Sequence, residues 1–286
     1  MITWLPHPLN GTPFGDLVTL CVLVAAVIWG LSKLSGEVCW IDRYWSTAPP
    51  LYALYMAASV SFSNLRLNLM AGLVLLWGVR LTYNFWRKGG FGKDNEDYRW
   101  VALRERMTPL QFELFNIGFI SYYNSFLVLA LCAPMHTAWV YRDTAVGVWE
   151  GVIAALFVLL WLGEAVADEQ MWRFQQEKKA RLARGESIEA PFFWAGLYRY
   201  SRHPNYFCEM GQWWVFYGFA IAASGVVWHW TLIGALLLTL MFDGSVRFSE
   251  GISSRKYPGY ARYQQEVSRL LPGPPRSRPP VSAPED

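Results

Sequence analysis

The run Arg199-Tyr200-Ser201-Arg202-His203-Pro204-Asn205-Tyr206-Phe207-Cys208-Glu209 crowds guanidinium, imidazole, phenol, amide and carboxyl groups into one short stretch. Pro204, at the start of an apolar run, suits the first turn of a helix, where its missing N–H is harmless. On that helix Asn205, Glu209 and Trp213 recur at i, i+4 and i+8 and share a face. An amide, a carboxylate and an indole on one stripe could hold a ribose or an amide-bearing ring. The plainer reading is a hydrogen-bond network between packed helices. Glu209 at the mouth of an apolar helix is costly without a partner, which makes it a functional candidate.

Three segments mix Arg or Lys with aromatic rings and acids: 88–100, 168–206 and 246–263. A phosphate-rich cofactor needs this mixture, because guanidinium forks bind phosphate oxygens in pairs and aromatic faces stack on a base. Membrane orientation alone also concentrates basic residues. It does not call for the embedded Asp and Glu.

The elements that must position these groups are membrane helices. Of 286 residues, 53% are hydrophobic and only 16% charged, against about 25% charged in soluble domains. A ruler of about 20 apolar residues gives seven spans, near 14–34, 45–62, 68–86, 111–133, 145–167, 205–225 and 228–248. Pro49-Pro50 interrupts the second. The expected fold is an all-α polytopic membrane protein, one seven-helix domain over 1–271 followed by a Pro-rich disordered tail at 272–286. Basic residues crowd the loops after spans three, five and seven, while the alternate loops hold only Arg66 and Arg142. The N-terminus is therefore expected outside and the C-terminus in the cytoplasm.

Cys21, Cys39, Cys132 and Cys208 form no C-x-x-C pair, and the histidines are scattered, so neither a disulfide framework nor a metal is expected. No basic arm suggests nucleic acid. No internal repeat supports a repeat-built transporter. Short loops and the lack of a basic N-terminal signal point to a bacterial inner membrane, with membrane lipids as neighbours. The oligomeric state is open, a monomer included.

RYSRHPNYFCE, the distal KYPGYARYQQEVSRLLPGPP and the middle stretch LLWGVRLTYNFWRKGG with EDYRW resemble the DUF1295 group, relatives of the membrane steroid 5α-reductases, over roughly 40–275. The resemblance implies NADPH as cofactor and a lipophilic substrate drawn from the bilayer. The reaction it implies is reduction of a carbon–carbon double bond conjugated to a carbonyl. It also implies that Asn205 and Glu209 contact the nicotinamide side and that Asp168 holds a ribose or amide. Arg173, Arg199, Arg202, Arg247 and Arg255 become phosphate candidates, and Tyr98 and Arg99 close the site. Lys88, His203, Tyr206, Trp213 and Tyr260 complete the expected cofactor set.

Hydride addition to an enone leaves an enolate, so an acid must serve the carbonyl oxygen. Steroid reductases use an early Gln-Glu pair and a Tyr on the helix before the middle motif. Here the early stretch reads Cys39-Trp40-Ile41-Asp42-Arg43-Tyr44-Trp45, and Trp77 stands at the Tyr position. Asp42, Tyr44 and Tyr83 are the substitutes, with an Asp42–Arg43 ion pair as the bland reading of Asp42. Asn116 and Tyr123 could line a substrate cavity. Asn124 suits interhelical bonding and Asp243 a pairing with Arg247. A methyltransferase using S-adenosylmethionine shares the Arg-His-Pro-x-Tyr motif with a downstream Glu, and is the alternative.

Overall fold

A chain crossing hydrocarbon must satisfy its backbone internally, and the helix does so segment by segment. The computed structural model describes residues 11–92, 96–186, 192–257 and 259–275. They are mostly helical, and no strand occurs among them. The helices are α1 (Pro13–Ser35), α2 (Trp40–Ala58), α3 (Leu65–Arg87), α4 (Tyr98–Arg104), α5 (Pro109–Phe115), α6 (Asn124–Leu131), α7 (Ala133–Val140), α8 (Val148–Ala183), α9 (Pro204–Ser224), α10 (Ile233–Lys256) and α11 (Tyr260–Glu266). A π-helix, Asn116–Tyr123, joins α5 to α6. The expected disorder of the tail concerns residues that lie, from 276 onward, outside the described ones.

Five helical stretches among the described residues are long and apolar enough to cross a membrane: Pro13–Ser35, Leu65–Arg87, Pro109–Val140, Val148–Ala183 and Trp230–Lys256. Helices α2 and α9 stand where two further spans were expected but fall outside that set. The first carries Asp42, Arg43 and Pro49-Pro50, and the second opens on Pro-Asn-Tyr-Phe-Cys-Glu.

The chain divides into two compact units, Met1–Phe157 with Trp213–Leu238 (unit 1) and Val158–Gln212 with Thr239–Asp286 (unit 2). In unit 1 local chemistry sets the helix starts. Thr12 caps α1 through Gly15 N at 3.1 Å, Asn64 caps α3 through Leu67 N at 3.0 Å, and Thr108 with Gln111 forms a capping box on α5. Pro49 and Pro50 lie inside α2, and the Cys132 thiol points at the Pro49 carbonyl, 3.8 Å away. Helix α3 packs on this break because Gly78 has no side chain. A Cβ there would lie 2.2 Å from Pro50 Cγ and 2.9 Å from the Ser46 carbonyl oxygen.

The π-helix widens the fourth stretch by one residue per turn. Asn124 Nδ2 donates to the Phe119 carbonyl at 2.8 Å, and Phe115, Phe119 and Tyr123 stack in a ladder with centroids 4.9 and 5.0 Å apart. Arg66 is wholly buried. It donates to Glu150 Oε1 at 2.7 and 2.9 Å and to the Ala145 carbonyl and Thr144 Oγ1 at 2.9 Å, pinning the connection between α7 and α8.

Gly78→Ala should lower stability in detergent by about 1–3 kcal/mol, since neither proline ring nor backbone can yield. Gly72→Ala, on the same helix with nothing within 4 Å of the new methyl, should raise it by about 0.5–1 kcal/mol. Chemical unfolding of the two variants side by side measures both.

Candidate cofactor and substrate sites

In unit 2 the opening motif folds onto the C-terminal segment. Arg202 is 9% exposed and Glu250 5%. Arg202 Nε donates to Glu250 Oε1 at 2.6 Å and its terminal nitrogens to Glu250 Oε2 at 3.1 Å, to the Gln264 carbonyl at 2.9 Å and to the Val267 carbonyl. His203 Nε2 lies 3.0 Å from Glu250 Oε1, and Gln264 Nε2 donates to Oε2 at 3.0 Å. Ser201 Oγ donates to the Leu270 carbonyl at 2.8 Å, and Gly273 N to the Tyr200 carbonyl at 3.0 Å. The guanidinium of Arg202 is thus engaged by protein acceptors, which corrects its expected role as a phosphate ligand. It locks two motifs together.

The other expected cofactor residues separate into groups. Arg199 and Arg255 are exposed. Arg173 pairs with Glu169 at 2.8 Å and Arg247 with Asp243 at 2.7 Å, both i, i+4 on their helices, the second as the sequence suggested. Tyr206 stacks between His203 and Phe242, with centroids at 5.7 and 4.5 Å. Tyr260 is buried edge-on against Phe192 and Tyr263, a packing position. Asn205 is half-buried and Glu209 buried on α9.

Asp168 is buried one turn beyond Glu164 on α8. Burial, then the charge of Asp168, then Tyr206 raise the phenol of Tyr198 above its ordinary range. The sequence reading missed Glu164 and Gln212, which are bonded at 2.6 Å and both buried. Helices α8 and α9 approach closely there because a Cβ on Gly163 would meet the Cys208 sulfur at 2.9 Å. The signal was available: an acid inside the apolar run LWLGEAVAD is a functional flag in its own right. Glu250 was also missed, since only its distant partner explains it. Unit 2 thus holds exposed Arg199 and Arg255 and buried Glu164, Asp168, Glu209 and Gln212.

Trp213 belongs to unit 1 and does not extend this polar stripe. It packs edge-on against Trp77 at 5.1 Å and against Phe216 at 5.5 Å. Gln212 takes the stripe's third place.

Unit 1 assembles the early stretch with the middle motif. Trp100 Nε1 donates to Asp42 Oδ2 at 3.1 Å. Glu96 accepts from Val38 N at 2.9 Å and pairs with Arg104 at 2.9 Å. Arg43 turns away to Glu37 at 3.8 Å and lies over Trp40 at 4.5 Å, so the Asp42–Arg43 pair does not form. Burial pushes the Asp42 carboxyl up to about 7. The Trp100 hydrogen bond opposes the rise, Asp97 adds to it, Arg99 pulls down and Glu96 adds again. Burial also tends to raise Asp97, but hydrogen bonds and charge from Arg99, with Lys88 nearby, carry it below its ordinary value.

Arg99 and exposed Lys88 thus belong to the surroundings of Asp97 in unit 1, and the side chain of Tyr98 lies outside the described atoms. Tyr44 meets Tyr52, hydroxyl to hydroxyl. Tyr83 is 56% exposed beside Trp86 and Arg87, and its contacts do not reach Asp42. Asn116 is buried, its Nδ2 donating to Ser32 Oγ at 3.0 Å while its Oδ1 has no partner among the described residues. Tyr123 donates weakly to the Leu237 carbonyl at 3.4 Å. The structure therefore brings Asp42 together with the EDYRW loop and leaves Tyr83 apart.

Five long apolar helical stretches, with acids and amides buried among the helices, define a helical protein of the polytopic membrane class. The chain belongs to the DUF1295 family, a family of unknown function whose sequence pattern matches residues 28–267. It is 33% identical over 281 residues to an uncharacterized protein of Schizosaccharomyces pombe, covering 92% of this chain and 80% of that one. No solved structure matches it.

Glu250→Gln should destabilise the protein by about 3–5 kcal/mol, because it leaves a buried guanidinium without its counter-charge. Denaturant titration reads the loss. A carboxyl raised from 3.8 to about 7 holds a proton in the folded state that the unfolded chain releases. Stability should therefore fall as pH rises from 3.8 to about 7 and level off above. In Asp42→Asn that slope should diminish, and unfolding titrations at pH 5 and 8 compare the two proteins.

Proposed function

We propose that the chain is an NADPH-dependent membrane reductase acting on the carbon–carbon double bond of a lipophilic enone, such as a 3-oxo-Δ4 steroid or a lipid of similar shape. The charged and amide side chains of unit 2 support this reading. Exposed Arg199 and Arg255 suit phosphates, buried Asp168 and Glu209 accept from ribose or amide groups, and Asn205 with the Glu164–Gln212 pair suits a carboxamide. S-adenosylmethionine has no phosphate and would leave the arginines without a ligand. When bound, NADPH supplies hydride to the β-carbon. Asp42, poised near neutrality, is suited to keep or yield a proton beside the substrate.

The substrate enters from the bilayer, and Asn116 and Tyr123 help to line its cavity. Seven helices cross the membrane in this reading, with the basic loops and the C-terminus on the cytoplasmic face of a bacterial inner membrane.

A ligand that binds only the folded state stabilises it by about 2.7 kcal/mol at a hundredfold excess over Kd. NADPH should raise the melting temperature of the detergent-purified protein more than NADH does, and S-adenosylmethionine should leave it unchanged. Stabilisation by S-adenosylmethionine alone would replace this reading with a methyltransferase. Glu209→Gln should weaken the NADPH effect about tenfold in apparent affinity, on the order of one charge-assisted hydrogen bond, and should leave the unliganded melting temperature near that of the parent.

A further inference from the structure

Acids gather where the segment before α4 docks on the start of α2, and two of them hold arginines of their own. Glu96 accepts from both terminal nitrogens of Arg104 and from Val38 N, each at 2.9 Å. Asp97 accepts from Arg99 Nε at 2.9 Å and from its Nη2 and backbone N–H at 2.8 Å. Asp42 forms no ion pair among the described residues, since Arg43 beside it turns to Glu37. What it receives there is one hydrogen bond, from Trp100 Nε1 to Oδ2 at 3.1 Å.

An indole N–H only donates, so Oδ2 is an acceptor whether Asp42 is charged or neutral. A carbonyl oxygen accepts better than an acid's hydroxyl oxygen. The neutral acid therefore keeps its C=O at Oδ2 and its proton on Oδ1. The donor is itself held in place. The Trp100 ring tilts against Phe115 at 6.5 Å and packs on Ile28, Val38, Ile41 and Ile120, from α1, the start of α2 and the π-helix. It cannot swing away without unpacking that apolar face. The charged and titratable groups that bear on Asp42 are Asp97, Arg99 and Glu96 from α4 and the segment before it, with Cys39 on its own helix. The cluster behind Trp100 adds none.

We infer that Trp100 is the positioning residue of a proton-carrying Asp42, its indole fixing Oδ2 as the acceptor and leaving Oδ1 to hold and release the proton. In the reductase reading, on which this use of the proton rests, Asp42 keeps or yields it beside the substrate. Release leaves the negative charge on the carboxylate, where the bond from Trp100 strengthens, and solvent returns the proton. Every group in this arrangement lies in unit 1.

Infrared spectra of the detergent-purified protein read the acid directly. The carbonyl stretch of a protonated carboxyl should titrate with a midpoint of about 7 and be missing from Asp42→Asn. Trp100→Phe keeps an aromatic ring and removes the N–H. The bond favours the charged form, so its loss should raise the midpoint by roughly one pH unit. The stretch, freed of the donor on Oδ2, should move to higher frequency. The alkaline limb of kcat for NADPH oxidation with a 3-oxo-Δ4 steroid should rise with the midpoint. A Trp100→Phe protein in which neither the stretch nor the midpoint moves overturns the inference. If that variant does not fold, 15N-indole labelling of tryptophan decides. One N–H resonance of the wild type should titrate with the same midpoint and lose its pH dependence in Asp42→Asn, and absence of any such resonance overturns the inference equally. None of these spectra needs substrate or cofactor. A protein that shows them, yet is neither stabilised by NADPH nor able to reduce the steroid, overturns the reductase reading and leaves the Trp100–Asp42 pair standing.

Discussion

Every backbone group that leaves a helix ladder inside an apolar medium needs another partner, and the breaks in this chain are built around that requirement. Where prolines interrupt α2, a thiol covers the Pro49 carbonyl. Where the fourth stretch loosens into a π-helix, Asn124 takes up the Phe119 carbonyl. Where α7 ends and the chain turns, Arg66 gathers the carbonyls and hydroxyl of 144 and 145 under one guanidinium, with Glu150 neutralising it. In these three places a dedicated side chain serves the irregular backbone.

The same rule separates basic residues by role. A buried guanidinium satisfied on every edge, as Arg202 and Arg66 are, has little left for a ligand. Exposed ones such as Arg199 and Arg255 keep their guanidinium groups accessible to solvent. Position in a motif did not distinguish the two kinds. Burial and geometry did.

Legibility in the sequence followed the range of the interaction. Helix α1 was expected near 14–34 and spans Pro13–Ser35, because an apolar run bounded by Thr-Pro and Gly carries its own ends. Helix α8 was expected to stop near 167 and continues to Ala183, since Glu169–Arg173 and Glu177–Arg181 pairs extend it beyond the apolar part. The supposed Asp42–Arg43 pair did not form because neighbours on a helix point apart. The π-helix left no trace in hydropathy, as a shift of one residue in hydrogen-bond register changes no residue type. Asn205, Glu209 and Asp168 stood out in the sequence, and the structure buries the two carboxylates. Glu250 did not stand out, because its meaning depends on a partner 48 residues away.

The latch around Arg202 also has a temporal side. Unit 2 is discontinuous in the chain, and Arg202 is synthesised well before Glu250, Gln264 and Val267, which lie 48, 62 and 65 residues later. Until those residues leave the ribosome, Arg202 lacks the acceptors that allow its burial and must stay hydrated. The C-terminal segment therefore acts as the last stitch of assembly, so a chain released early would display a loose basic loop that quality-control proteases can grip.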